Sequence, residues 1–352
     1  MKKWAKLIFF IYLFIFSIEL IKRTSLFLAP NIKNFLAQGL TPLKAISIGW
    51  FTTSIVQSSG AVSSVAATFA GHNLINLSIA VYILIGAFFG TTITALIISL
   101  ITFTKKRRDF RHGFEIGLCY SIYSALLLIV VFFLEYFFRF FSKSSFFLAS
   151  FFGEKISLLK VPNIVGFMTS PIIDFLFDKN NKLILLVLGF VILLFALRYI
   201  SKSIIEVFGG EHKARKFINR HFESKYKAYL IGVLLTAIVF SSSITIGLLV
   251  PLAVARLINL KKAIPFILGA NLGTFTDVFL ASIIIGKIPA LATAFAYLLF
   301  SITGGLIFFP NINFLFKTTK YTSKKLIHIS RKKAVYLLIA FITIPLMIIL
   351  IF

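Results

Sequence analysis

Long unbroken apolar runs, separated by short basic segments, dominate this chain. They lie near 7–28, 77–103, 114–141, 182–200, 263–285, 289–309 and 333–352. Each is roughly the 20 residues that a helix needs to cross a bilayer. A soluble core of this size would alternate apolar and polar positions, which continuous runs do not. Two further stretches, 43–70 and 229–256, are mixed, with apolar arms around a polar centre. The pattern predicts an all-α integral membrane protein.

Composition sharpens that picture. The 352 residues are 59% hydrophobic and only 14% charged, with mean hydropathy +0.98. The net charge is +26. In a soluble protein that excess would suggest nucleic acid. Here the basic residues flank apolar spans, so loops obeying the positive-inside rule explain it and no nucleic-acid partner is expected. Cys119 is the single cysteine and lies in an apolar run, so no disulfide forms within the chain. The N-terminal "MKKWAKLIFFIYLFIFSIELIKR" imitates a signal peptide, but no small-x-small site closes its apolar core. It is expected to be an uncleaved first helix.

Four basic clusters test the topology: Lys2, Lys3 and Lys6; "KKRRDFR" at 105–111; 213–227; and 317–333. If 43–70 crossed the membrane, 105–111 would fall outside. If 43–70 and 229–256 are re-entrant hairpins, all four clusters and the N-terminus are cytoplasmic. Arms 43–56 and 61–70 would reach about 20 and 15 Å, at about 1.5 Å per residue. Each goes about halfway through a hydrocarbon core of about 30 Å. The tip "QSSG" (57–60) is then expected near the midplane.

The chain also repeats itself. At a shift of 183, Lys44 falls on Lys227, Gly49 on Gly232 and Thr53 on Thr236. Ser58 and Ser59 fall on Ser241 and Ser242, and "LINL" at 74–77 on "LINL" at 257–260. Gly86 and Ala87 fall on Gly269 and Ala270, and Gly90 and Thr91 on Gly273 and Thr274. From 44 to 99, 20 of 56 positions are identical without a gap. Shared oiliness cannot produce the Gly, Ser, Thr, Asn and Lys matches. Each unit is expected to hold three spans and one hairpin. An odd number of crossings inverts the second unit, and inverted repeats with a site between them mark secondary transporters. The expected organisation is 1–141 as the first unit, 142–181 as an extracytoplasmic connector and 182–310 as the second unit. Residues 311–352 add a basic cytoplasmic loop and one C-terminal transmembrane helix.

Non-helical backbone in lipid is expensive unless it is buried in protein or lines a cavity, so a mid-membrane tip asks for a function. Helix N-termini attract anions. Gln57, Ser58 and Ser59 on one tip, with Ser241, Ser242 and Ser243 on the other, can surround a small oxyanion with neutral donors. "GAFFGTT" (86–92) and "GANLGTF" (269–275) lie inside spans, where paired glycines can interrupt a helix. Carbonyls from such breaks, with Thr91, Thr92, Asn271, Thr274 and Thr276, are hard oxygen ligands for a small cation. Asp277 follows, and a carboxylate this deep is a functional candidate that can bind a cation or carry a proton. The competing explanation is packing, because small and hydroxylated residues are common at ordinary membrane helix contacts. Glu19 lies deep in the first span, with a structural partner as good an account as transport. Glu135, Arg139 and Arg198 are nearer span ends and are expected to snorkel. The histidines are scattered without metal spacing. No nucleophile elbow or phosphate-binding loop offers an enzyme a site, so no catalysis and no cofactor are expected.

At these residues the chain resembles the type II sodium–phosphate cotransporters. That family carries a Gln-Ser-Ser-Ser motif in each of two inverted repeats, each followed by a Gly-Ala-Asn-Ile-Gly-Thr-Thr-like segment. Here the copies read "TTSIVQSSGAV" with "LIGAFFGTTITAL", and "LTAIVFSSSITIG" with "ILGANLGTFTDVF". The resemblance implies Na+-driven movement of inorganic phosphate across the cell membrane. Gln57, Ser58, Ser59, Ser241, Ser242 and Ser243 would line the substrate and ion sites, flanked by Thr91, Thr92, Asn271, Gly273 and Thr274. The partners implied are the lipid bilayer, phosphate and Na+; a homo-oligomer is allowed but not required. Several positions depart from the pattern. Gly60 stands for a third Ser, Phe240 for the second Gln, Phe88 for an Asn and Phe275 for a Thr, and Asp277 stands where a neutral residue is expected. "CYSIYS" (119–124) and "YLLFSITG" (297–304) reduce a later His-x-x-Phe-Asn-like pattern. These losses leave two alternatives open: a carrier of another small anion with proton coupling, and a non-transporting sensor on the same fold.

Overall fold

The structure is a computed structural model. It describes residues 2–27, 39–101, 107–158, 164–179, 181–207, 209–210, 213, 222, 224–254, 256, 258–327 and 331–351. Among the described residues every regular element is a helix. Helix α1 (Lys2–Phe27) leads to α2 (Pro42–Val56), α3 (Ser59–Gly71), α4 (Leu77–Gly90), α5 (Thr92–Ile101) and α6 (Arg107–Phe138). Next come α7 (Phe140–Leu158), α8 (Ile164–Lys179) and α9 (Lys182–Val207). The series continues with α10 (Lys225–Val239), α11 (Ser242–Gly247), α12 (Leu249–Val254), α13 (Leu260–Gly273), α14 (Phe275–Ile285) and α15 (Ile288–Phe308). Helices α16 (Ile312–Ile327) and α17 (Arg331–Ile351) complete it.

Four stretches are long and apolar enough to cross a membrane: Leu77–Ser99, Arg111–Phe138, Leu260–Ile285 and Ile288–Phe308. The expected spans at 7–28, 182–200 and 333–352 fall on α1, α9 and α17, with shorter apolar stretches. Large apolar side chains such as Phe137, Leu183, Leu230 and Leu306 are exposed. So many lie outside that the surface suits an apolar surrounding rather than water.

The same local structure is built twice. Helix α2 ends at Gln57 in the left-handed region (φ 57°, ψ 28°), whose N–H donates to the Thr53 carbonyl. Helix α10 ends at Phe240 (φ 56°, ψ 32°), whose N–H donates to the Thr236 carbonyl. Ser58 then caps α3 by accepting from the Ala61 N–H, and Ser241 caps α11 by accepting from the Ile244 N–H. Asn76 and Asn259 cap the next helices in the same way, at 2.8 and 3.0 Å. A side-chain acceptor at this position satisfies a donor that the helix itself leaves unpaired.

Glycines bring the helices of each unit together. Helix α2 lies against α4, and α10 against α13. A Cβ at Gly86 would run into the Ile46 backbone, and one at Gly269 into the Tyr229 backbone. Gly90 faces the Trp50 carbonyl as Gly273 faces that of Val233. Only a residue without Cβ allows backbones this near each other.

The units differ in one respect that sequence explains. Where α3 runs unbroken through Thr68, its counterpart splits at Leu248 into α11 and α12. Pro251 stands at the position of Thr68, has no N–H and crowds the carbonyl four residues back, which is Gly247.

The structure adds detail to the expected organisation and corrects one expectation. The connector 142–181 is largely helical, as α7 and α8, and the basic loop after 310 contains α16. Glu135 does not snorkel. It is fully buried and caps α7, accepting from the Phe141 and Ser142 N–H groups at 3.0 and 3.1 Å and from the Ser78 hydroxyl at 2.8 Å. The Ser142 hydroxyl also donates to it. Arg139 is exposed, in the left-handed region (φ 50°), at the joint between α6 and α7. The side chains of Glu19 and Arg198 lie outside the described residues, as do most of 213–227 and the first residues of 105–111.

Candidate functional site

The site is built where α3, α5, α6, α11, α13, α14 and α15 converge. Helix α14 packs on α3, and α5 meets α11. Each tip therefore meets the helix that follows the glycine pair of the other unit. At the second tip this contact is a hydrogen bond. The Thr91 and Ser243 hydroxyl oxygens are 2.8 Å apart, both residues buried.

The related contact at the first tip has a different chemistry. The shift of 183 places Gly60 under Ser243 and Thr94 under Asp277. Gly60 has no hydroxyl to offer. The space a Cβ would take there is filled by the Asp277 carboxylate. Asp277 lies in the first turn of α14, is 1% exposed, and its Oδ1 has no hydrogen-bond partner.

Two tyrosines complete the arrangement. Tyr120 on α6 directs its hydroxyl toward Ser242 of the second tip. Tyr297 on α15 sits near Ser59, Thr274 and the Asp277 carboxylate. Both are fully buried, and neither hydroxyl makes a hydrogen bond of regular geometry. Their rings join an aromatic cluster with Phe88 at its centre. Phe88 meets Tyr120 at 6.4 Å, Tyr123 at 5.9 Å and Phe300 at 5.4 Å between ring centroids. The position that the resemblance assigns to an amide is thus an edge-to-face aromatic contact.

The remaining predicted residues divide. Ser59 and Ser242 are buried next to these tyrosines. Ser58 and Ser241 are half-buried, with their hydroxyls engaged in capping. Gln57 is exposed. Asn271 donates to the Ile267 carbonyl at 2.9 Å and leaves its Oδ1 buried without a partner. Thr92, Thr274 and Thr276 donate to the Phe89, Ala270 and Gly273 carbonyls of the helix that precedes each interruption. Gly273 packs against α10.

The helices are interrupted beside the glycine pairs, but only narrowly. Thr91 and Thr274 each interrupt the helix by one residue and stay near helical geometry, at φ −67° and φ −65°. The Thr91 and Thr274 N–H groups still find carbonyls of the preceding turn, Ala87 and Asn271. The glycines serve close packing, and the carbonyls at the interruption are in part already used.

Sequence reasoning missed Tyr120, Tyr297 and the orphan hydroxyls of Thr53 and Thr236. A second register carries the signal. Tyr120 and Tyr297, like Ser124 and Ser301, are 177 apart rather than 183. Glu115 was also missed. It is fully buried on α6, accepts from Arg111 Nε at 3.0 Å, Lys320 Nζ at 2.6 Å and the Ser323 hydroxyl at 3.0 Å, and so ties α16 to α6.

Duplicated tips, apolar helices of spanning length and a buried polar centre define a multi-helix membrane protein with an internal polar site. The sequence pattern of the Na+/Pi-cotransporter family matches residues 13–159 and 192–330, and the chain belongs to that family. It is 22% identical over 364 residues to sodium-dependent phosphate transport protein 2B of Pongo abelii, covering 76% of this chain and 52% of that protein. It is 20% identical over 382 residues to sodium-dependent phosphate transport protein 2A of Rattus norvegicus, covering 86% and 60%. It is also 36% identical over 88 residues to the uncharacterized protein YqeW of Bacillus subtilis, covering 25% and 28%. The chain thus spans about half to three fifths of the two phosphate transport proteins. No solved structure matches it.

Proposed function

We propose that this protein is a secondary active transporter that couples inorganic phosphate to Na+ across the cell membrane. The two units are inverted relative to each other, and α2–α3 and α10–α12 are re-entrant hairpins whose tips meet near the bilayer midplane. The N-terminus and the basic segments are cytoplasmic.

One observation carries this reading: each tip touches the helix after the glycine pair of the other unit, most directly in the Thr91–Ser243 hydrogen bond. A site assembled from both units changes whenever one unit moves against the other, which alternating access requires. The ligands are neutral hydroxyls, Ser242, Ser243 and Thr91, buried where hydrogen bonds are stronger than in water. Na+ neutralises the anion as it enters an apolar region, where an isolated charge is expensive.

The test is uptake of radiolabelled phosphate into proteoliposomes with an imposed inward Na+ gradient, compared with K+ and with a pH gradient. Na+-dependent uptake that falls at least about tenfold in Ser242→Ala, the loss of about 1.4 kcal/mol or more of binding, is expected. Uptake driven by the pH gradient alone would replace Na+ by protons in the mechanism. No uptake from folded protein under any gradient would overturn the transport assignment.

A further inference from the structure

The two tips differ in the residue that meets the opposite unit. At the second tip a hydroxyl, Ser243, meets a hydroxyl, Thr91. At the first tip a bare Cα, Gly60, meets a carboxylate, Asp277. Gly60 and Asp277 both depart from the pattern their counterparts keep, and they touch. A side chain at 60 would collide with Asp277 Cγ and Oδ2, and would come within 3.2 Å of its Cβ. The carboxylate therefore fits only because residue 60 is glycine.

The helix ends beside it favour negative charge. Asp277 lies in the first turn of its own helix, α14, and Gly60 in the first turn of α3. Two helix N-termini thus converge on one carboxylate, and each presents the positive end of its dipole. Among the described residues no basic side chain pairs with it. Those ends suit an anion at this place.

We infer that Asp277 is a tethered anion occupying the oxyanion seat of the first tip, so that a free oxyanion is held on the second-tip side by Ser242, Ser243, Thr91 and Tyr120. The inference rests on the transport reading for the identity of that oxyanion. It does not rest on it for the seat itself. Removing the carboxylate opens the first tip, where Ser59, Tyr297 and the freed space beside Gly60 can take an oxyanion.

The experiment is equilibrium binding of radiolabelled phosphate to the purified full chain, wild type, Asp277→Ala and Asp277→Asn, with thermal melting in the same buffers. A fixed like charge a few ångströms away weakens an anion strongly at low dielectric. Asp277→Ala is expected to bind phosphate at least about tenfold more tightly than wild type. Asp277→Asn, which removes the charge and keeps the bulk, is expected to lie between them. Ser59→Ala is expected to abolish that gain in the Asp277→Ala background. Binding unchanged or weakened in Asp277→Ala would overturn the inference. So would Na+-dependent thermal stabilisation present in wild type and lost in Asp277→Asn, because that would make Asp277 a cation ligand. If wild type binds and transports no phosphate, the transport reading fails, yet phosphate binding gained by Asp277→Ala would still support the tethered anion.

Discussion

Substituting Gly60 by serine tests the contact between the units directly. Serine restores the residue type that stands at the matching position, Ser243, so a local view predicts a harmless change. The tertiary structure predicts the opposite. The new Cβ would overlap the Asp277 carboxylate, and turning that carboxylate about its Cβ–Cγ bond leaves Cγ only 2.7 Å away, attached to Asp277 Cβ. Its position is set by the backbone of α14. Overpacking a filled interior costs about 1–3 kcal/mol, and the upper part of that range applies where both partners are held by helices. Asp277→Ala alone removes a buried carboxylate with an unpartnered oxygen, so it is expected to leave stability unchanged or raise it slightly. With Asp277→Ala present, Gly60→Ser keeps only the 3.2 Å contact, which a shift of a few tenths of an ångström relieves. The double variant should recover about 1–2 kcal/mol of the loss, a coupling well above the scatter of independent sites. The assay is apparent melting temperature in detergent, in phosphate-free buffer at one scan rate, for all four proteins. Effects that add to within about 0.5 kcal/mol would show that Gly60 and Asp277 are not in contact.

Other parts of the structure make equally definite claims. Glu135→Ala removes the acceptor for two backbone N–H groups and two hydroxyls at the start of α7, and should destabilise by about 3 kcal/mol, seen as a lower melting temperature and faster proteolysis at the α6–α7 joint. Thr91→Val and Ser243→Ala each strand one buried hydroxyl and should each cost about 1–2 kcal/mol, while the double variant should be no worse than either single one, as a double-mutant cycle in melting will show. Gly86→Ala forces the α2 and α4 backbones apart and should cost about 3 kcal/mol or more. Gly153→Ala, whose nearest neighbours are side-chain atoms at 3.7 and 3.9 Å, should be neutral or stabilising by up to about 1 kcal/mol in the same melting assay.

What could be read in the chain was whatever is decided by residues near one another in sequence. Apolar run length determined the helices that span. Ser58, Ser241, Asn76 and Asn259 cap helices with donors three residues on, a contact decided within one turn of chain. The glycine pairs recurred at one shift, and so did the turns at Gln57 and Phe240, because a turn depends on a handful of adjacent dihedral angles. Their purpose was less legible. The glycines could interrupt helices or admit a neighbouring backbone, and the structure shows both, a one-residue interruption after each pair and a backbone packed against it.

The tertiary structure alone decided the pairs that are distant along the chain. That Asp277 fills the space beside Gly60, that Lys320 meets buried Glu115, and that Tyr120 and Tyr297 each face the opposite unit's tip depends on how helices from separate units stack. Glu135 shows the same limit at shorter range. From the sequence it is a charge near a span end, and only the chain reversal at Arg139 brings the N–H groups of α7 back to it. Hydrogen bonding within a helix is local and leaves a periodic trace. Packing between helices is set by shape complementarity over the whole interior, and a single sequence carries no periodic trace of it.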